Sequence, residues 1–330
     1  MSATIKKVAE RLKLNPSTVS RALTGSPQIS EATRKQVQQV AQELNYSPNL
    51  WAQNLVGAGS RLVGCLVRDL ANPFYIPMLR AVEDMAERQN YIILLSESRG
   101  QIEMEKNIID RYRRIRVAGV IITPVLSELE HLRRLEADGV PVIMAARSVD
   151  GFDSINLDNV KSGKLAGQHL IARGHTRIGF VQSGDEYNMP EQQRLQGLKF
   201  ALKDAGLELQ VSYLVGANSF SGGEKAAELW QQDMHKPTAV FCDNDLLAMG
   251  FIQQASRLGV KIPQDVAVIG HDDIPFADTF IVPLTTISFP KSELGQQAMQ
   301  VLMARFNEKE SHHSAKTITL EPQLIERKSC

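Results

Sequence analysis

Ser17 and Arg21 stand four residues apart, directly behind the pair Asn15-Pro16. On a helix that spacing puts both side chains on one face. There an arginine can grip guanine O6 and N7 with two hydrogen bonds, and a serine can bond several bases with little selectivity. This is the chemistry of recognising a nucleic-acid edge. Two acidic clusters, His271-Asp272-Asp273 and Asp243-Asn244-Asp245, each close an apolar run and could suggest a metal-dependent hydrolase. Neither has a known metal-ligand spacing, and each stands where a strand would end and binding residues are expected anyway. His312-His313 lies in the polar stretch ESHHSAK and reads as solvated loop. No G-x-x-x-x-G-K-[ST] loop and no G-x-S-x-G elbow occurs, so no enzyme activity, cofactor or metal is expected.

The elements that must position Ser17 and Arg21 are short. Ile5, Val8, Ala9 and Leu12 fall on one face of a helix. After a tight break at 13–15, Asn15 can accept from free N–H groups and Pro16 fits the first position of a second helix. Val19, Ala22 and Leu23 then turn inward, which describes a helix-turn-helix. Ser30 begins a third amphipathic helix with Val37, Val40, Ala41 and Leu44 inward. The formal net charge is zero, yet residues 1–60 hold 7 Lys/Arg against 3 Asp/Glu. A basic head at +4 on a body at −4 is the asymmetry of a nucleic-acid-binding end.

The segments TIKKVAERLKLNPSTVSRAL, ISEATRKQV, ELNYSPNLWAQNL and RLVGCLVRDLANPFY resemble the LacI/GalR family of bacterial transcriptional regulators. DGVPVI, INLDN, GHTRIGFV, RLQGLKFAL, TAVFCDNDLLAMG, DVAVIGHDD and PLTTIS follow in order, carrying the resemblance to about residue 327. It implies base contacts from Ser17, Arg21 and the position of Pro16, where proline can offer only an apolar contact such as one to a thymine methyl. Arg21 touching phosphate alone is the competing role. Lys6, Asn15, Ser20, Thr24, Gln28, Ser30 and Thr33 are better placed for the DNA backbone, where contacts fix register. In 46–60, Ser47-Pro48 reads as a helix start and Gly57 and Gly59 as its stop. So short a helix does not hold alone in water. The resemblance implies a hinge that pairs across a dimer and wedges Leu55 into the minor groove. Trp51, one turn earlier, packs hinge against hinge or covers the body.

A chain of 330 residues, 43% hydrophobic and 22% charged, reads as globular with two or more domains. No apolar run approaches the roughly 18–20 residues of a membrane span, and the N-terminal residues lack a signal-peptide core. Cys65, Cys242 and Cys330 form no disulfide or zinc pattern. A cytoplasmic protein without a membrane partner is expected. From residue 61, apolar strands at 62–67, 92–95, 120–122 and 140–144 alternate with helices near 75–89, 103–115 and 127–137. After INLDN (155–159) the plan repeats, with strands at 178–182, 213–215, 239–242 and 266–269 and helices near 160–172, 191–205, 223–232 and 246–258. These are two doubly wound parallel sheets, which bind ligands at their strand carboxyl ends. The expected organisation is an all-α helix-turn-helix head at 1–46, a hinge helix and linker at 47–60, and an α/β body at 61–330. The resemblance makes that body periplasmic-binding-protein-like, with subdomains of about 61–158 plus 288–319 and about 159–287 plus 320–330.

Arg194, Asn244 and Asp272 match the family's effector-contacting positions within RLQG, NDLLAMG and GHDD. Their donors and acceptors suit a polyhydroxylated ligand. Phe74, after Asn72-Pro73, offers an aromatic face, and Phe289 would add a second apolar wall. Two departures matter. Ala146-Arg147 replaces an Asp-Arg pair common in relatives, so the effector has fewer hydroxyls at that edge or is anionic with Arg147 as partner. Asn218 stands where an aromatic is usual, with Phe220 close enough to substitute. For all of these, a structural salt bridge, cap or packing role competes. The expected function is a homodimeric DNA-binding repressor on a pseudo-palindromic double-stranded operator, controlled by a small-molecule effector, a sugar or sugar derivative. A co-repressed regulator responding to a nucleobase or phosphorylated metabolite is the alternative, and a cleft enzyme acting on sugars a remoter one. A solute-binding protein would share the body but lack the basic head. IERKSC at the end carries no leucine heptad, so a dimer is expected.

Overall fold

The computed structural model describes residues 4–23, 26–46, 60–125, 128–185, 188–307 and 314–330. Thr24, Trp51, Leu55 and His312-His313 lie outside them. The chain divides into two units, Met1–Arg61 and Leu62–Cys330. In the first, α1 (Ile5–Leu12), α2 (Pro16–Leu23) and α3 (Glu31–Glu43) enclose a small core of Val8, Ala9, Val19, Ala22 and Val37. Helix α1 stops because Lys13 turns left-handed at φ 52° and returns its N–H to Ala9 and Glu10. Helix α2 starts where Asn15 Oδ1 accepts from the Ser17 N–H at 3.0 Å, and α3 where Ser30 Oγ accepts from the Thr33 N–H at 3.2 Å.

The second unit has two lobes. The first lobe runs β1 (Leu62–Val67), α4 (Tyr75–Arg88), β2 (Ile92–Glu97), α5 (Ile102–Arg114), β3 (Gly119–Ile122), α6 (Glu130–Ala137), β4 (Val142–Ala145) and β5 (Asp153–Leu157). The second runs α7 (Asn159–Ala172), β6 (Ile178–Gln182), α8 (Met189–Asp204), β7 (Val211–Leu214) and α9 (Phe220–Gln232). It continues with β8 (Ala239–Cys242), α10 (Asp245–Arg257), β9 (Ala267–His271) and β10 (Thr285–Ser288). The chain then returns to the first lobe with α11 (Lys291–Asn307) and β11 (Thr317–Leu320), and ends in the second with β12 (Gln323–Ile325). Sheet order is β11-β5-β4-β3-β1-β2 in one lobe and β12-β10-β9-β8-β6-β7 in the other. Strands such as β1, β3 and β4 are buried along their whole length, as parallel strands covered by helices on both faces must be.

The elements depart from the sequence reading at a few points. INLDN is not only a junction, because Asp153–Leu157 pairs with both β4 and β11. Helix α9 begins at Phe220, three residues before the expected 223, because Ser219 Oγ caps it by accepting from the Gly222 N–H at 3.1 Å. Ser288 still belongs to β10 and Leu320 to β11, each one residue past the expected crossing points. Strand β12 runs antiparallel to β10. Strand β11 delivers the chain at its carboxyl end, so the next strand enters the second lobe from the side where that lobe's parallel strands finish. It must run against them.

Helices α7 and α8 touch backbone to backbone. A Cβ on Gly163 would come within 1.9 Å of the Arg194 carbonyl oxygen, and one on Gly197 within 1.9 Å of that of Val160. Only glycine permits this approach, and it fixes the turn of α8 that carries Arg194. Gly163→Ala is therefore expected to destabilise the second unit by about 1–3 kcal/mol through overpacking. Denaturant unfolding checks this, with Gln168→Ala on the exposed face of the same helix staying near neutral.

Candidate functional site

In the head, α2 buries Val19 and Ala22 and leaves Pro16, Ser17 and Arg21 exposed. The Ser17 hydroxyl donates to Asn15 Oδ1 at 2.8 Å, so its oxygen is left as an acceptor for a base amino group. Asn15 thus spends its side-chain oxygen on the cap. Ser30 and Thr33 are likewise joined, Oγ to Oγ1 at 2.8 Å. Capping fixes the first turns of α2 and α3, where the Ser17 and Thr33 N–H groups are already taken by the side chains of Asn15 and Ser30. Lys6 and Gln28 are exposed and Ser20 is half-buried.

In the second unit the carboxyl ends of both sheets border a cavity of about 450 Å³, within the range usual for small-molecule sites. The first lobe contributes Arg68, Asp69, Phe74, Tyr75, Arg99, Thr123 and Arg147 to its lining. The second contributes Asn159, Asp185, Arg194, Asn218, Asp243, Asn244 and Asp272, among others. Among the described residues, one wall thus carries three arginines against one aspartate. The facing wall carries three aspartates against one arginine. Arg68, just past β1, forms an ion pair across the gap with Asp185, just past β6.

Of the residues expected in the cleft, Phe74, Arg147, Arg194, Asn244 and Asp272 line it. Two do not line it. Phe220 is absent from the lining and packs in the first turn of α9 against the second lobe's core, so Asn218 occupies the edge assigned to it. Phe289 is only 3% exposed and belongs to the first lobe's core. It sits edge-on behind His271 with ring centroids 5.5 Å apart. Both aromatics are apolar walls for the protein interior. Asn244 lines the cavity but caps α10, accepting from the Leu247 N–H at 2.8 Å. Arg68, Tyr75 and Asp185 also line the cavity, near strand ends where parallel sheets bind ligands, although no motif in the sequence marks them.

Arg194 is largely committed. Its Nε donates to Asn159 Oδ1 at 2.9 Å, and its Nη1 donates to the Asp243 carbonyl at 2.7 Å and to Asp243 Oδ1 at 2.8 Å. Burial pushes the Asp243 carboxyl up to about 7 against the pull of Arg194, with Glu191 and Asp272 adding repulsion. Asn218 Nδ2 bridges the two acids, at 2.9 Å to Asp243 Oδ2 and 3.1 Å to Glu191 Oε2. Asp272, 5% exposed, stands at φ 110°, a conformation rare for a residue with a Cβ. Strain of this kind persists only where the surroundings enforce it. Here the Asp272 N–H is held by the Ile287 carbonyl, its own carbonyl by Lys291 Nζ and its Oδ1 by His271 Nδ1. No cluster of three or more His, Cys, Asp or Glu side chains among the described residues could hold a metal ion. No described helix is long and apolar enough to cross a membrane.

Residues 4–49 match the family description "Bacterial regulatory proteins, lacI family", and residues 168–330 match "Periplasmic binding protein-like domain". The chain is 32% identical over 333 residues to the HTH-type transcriptional repressor PurR of Aliivibrio salmonicida, covering 99% of this chain and 98% of that one. It is 32% identical over 309 residues to the HTH-type transcriptional repressor CytR of Escherichia coli K12, covering 92% and 89%. Among solved structures it is similar to the lac repressor dimer bound to operator and the anti-inducer ONPF. The TM-score is 0.87 at 26% identity, with 100% of this chain and 99% of that one covered.

His271, buried beside Asp272, carries a pH signature. Burial, with Arg194 adding repulsion, pulls its imidazole from 6.5 down to about 4. Falling pH therefore protonates it in the unfolded chain first, and its contribution to stability, whole above about 6.5, is lost on the way down to about 4. Asp243 works in the opposite direction over an overlapping window, so the difference between two proteins isolates the histidine. Stability relative to His271→Gln, from denaturant unfolding between pH 7.5 and 4, is expected to decline as pH falls. A flat difference would contradict the assignment.

Proposed function

The chain belongs to the LacI family of bacterial regulators and is a transcriptional repressor, and on that premise we propose that a sugar or sugar derivative bound between its two lobes controls its affinity for DNA. The observation that carries this reading is the cavity itself. It lies at the carboxyl ends of two parallel sheets and is edged by hydrogen-bonding side chains, with the aromatic Phe74 at its border. Asp272 and the unpartnered Oδ1 of Asn218 accept, the arginines donate, and such a mixture suits a ligand rich in hydroxyls. Three strand-end crossings, at 157–159, 288–291 and 320–323, join the lobes. They leave the lobes a hinge about which a ligand touching both walls would change their relation.

In this reading the protein is a cytoplasmic homodimer on a pseudo-palindromic double-stranded operator, each head laying α2 in a major groove. Arg21 reads a base edge, Ser17 accepts from another, and Pro16 makes an apolar contact. Lys6, Gln28 and the N-terminal turns of α2 and α3 meet phosphates, which makes affinity fall steeply with salt. Leu55 wedges the minor groove at the centre and Trp51 packs the paired hinges. The effector acts by binding one lobe arrangement better than the other, since equal affinity for both would shift nothing.

Arg21→Ala is expected to relax base preference at one operator position, costing about 1–3 kcal/mol there. Competition binding across a set of single-base operator variants reads this directly, and unchanged selectivity would remove Arg21 as a reader. Asp272→Asn is expected to abolish effector response while leaving operator binding intact. The measurement is release or capture of operator duplex on adding the active compound from a screen of sugars, glycosides, sugar phosphates and nucleosides.

A further inference from the structure

Resting on that cleft reading and deepening it, we propose that the effector carries an anionic group, a carboxylate or a phosphate, held on the first lobe's wall by Arg147 and Arg68. Arg147 is 8% exposed, and its Nη1 is buried with no hydrogen-bond partner among the described residues. Arg68 Nη1 is in the same condition, while Arg68 Nη2 is taken by Asp185 from the facing wall. Both arginines line the cavity. A buried guanidinium with an unmet donor is costly to the fold. Two side by side repel as well, and burial together with the Arg68 charge draws Arg147 down to about 10.

The protein's own carboxylates are engaged elsewhere. Glu105, the acid whose field reaches Arg147, accepts from the Val125 N–H at 2.7 Å and is bonded to His131 at 2.9 Å. Asp69 accepts from the Ala71 N–H, Asp243 holds Arg194, and Asp272 holds His271. The backbone also favours this placement. Ala146, at φ 62°, adopts the left-handed conformation immediately before Arg147. Paired guanidinium forks match the planar oxygens of a carboxylate and the oxygens of a phosphate. The opposite wall, richer in acids, is left to hydroxyl groups.

The test uses the full chain and matched probes. Gluconate, glucuronate, glucose 6-phosphate and ribose 5-phosphate are compared with glucitol, glucose and ribose by thermal shift and titration calorimetry. At least one anionic probe is expected to stabilise the protein, with its neutral parent about tenfold or more weaker. A response to sugar acids alone or to sugar phosphates alone identifies which source supplies the anion. Arg147→Gln is expected to weaken the anionic probe by about ten- to a hundredfold. Arg147→Lys, which keeps the charge, should restore part of the loss. Neutral parents binding as tightly as their anions, with Arg147→Gln without effect and Asp272→Asn still weakening them, would overturn the anion and leave the cleft. Binding indifferent to both substitutions would overturn the cleft reading too. Failure of every anionic probe to bind would overturn the proposal.

Discussion

The guanidinium of Arg194 ties the second lobe's binding edge together. It stands on α8, yet its partners are Asn159, immediately after the crossing from β5, and Asp243, immediately after β8. One side chain therefore connects a helix, an interlobe crossing and a strand end. Removing either charge from a buried pair of this kind costs about 3–5 kcal/mol, because the other is left uncompensated. The glycine contact between α7 and α8 is what allows the arginine to reach both. Glu191 supports the arrangement by accepting from the N–H groups of Ser183 and Gly184, so the loop after β6 is held by the same helix. The cavity's polar lining is thus rigid where it meets the second lobe, as preorganised recognition requires.

Much of this was legible in the sequence because periodicity and punctuation report local structure directly. Helices α1 to α3 follow from apolar spacing plus Asn15-Pro16 and Ser30, and the alternating strands and helices follow from runs such as LVGCLV and AVFC. What the sequence concealed is competition between roles for one side chain. Asn244 and Asp272 sit where family resemblance puts effector contacts, and both line the cavity, yet Asn244 also caps α10 and Asp272 also holds His271. Ser17 looks like a free base reader in sequence, whereas its proton belongs to Asn15. Phe220 and Phe289 illustrate the other difficulty. An aromatic near a strand end can face ligand or core, and only the three-residue earlier start of α9 and the ring of His271 decide that both face the core. An arginine's unmet donor has no sequence signature at all, because it depends on which acids nearby are already engaged.

The Arg68–Asp185 pair joins the two walls, and its geometry bears on how a ligand would move them. One terminal nitrogen of Arg68 holds Asp185 from the other lobe, while the other is buried without a partner. An anion accepted by that second nitrogen would not need to displace Asp185. It would relieve the repulsion between Arg68 and Arg147 on the first lobe's wall. An anion that binds more tightly while Arg68 holds Asp185 favours that lobe arrangement by the same free energy by which the arrangement favours the anion. A neutral ligand confined to the acid-rich wall would gain nothing from closure. On the proposed reading, an anionic group reaches the hinge through the Arg68–Asp185 pair, which a neutral ligand on the acid-rich wall would not touch.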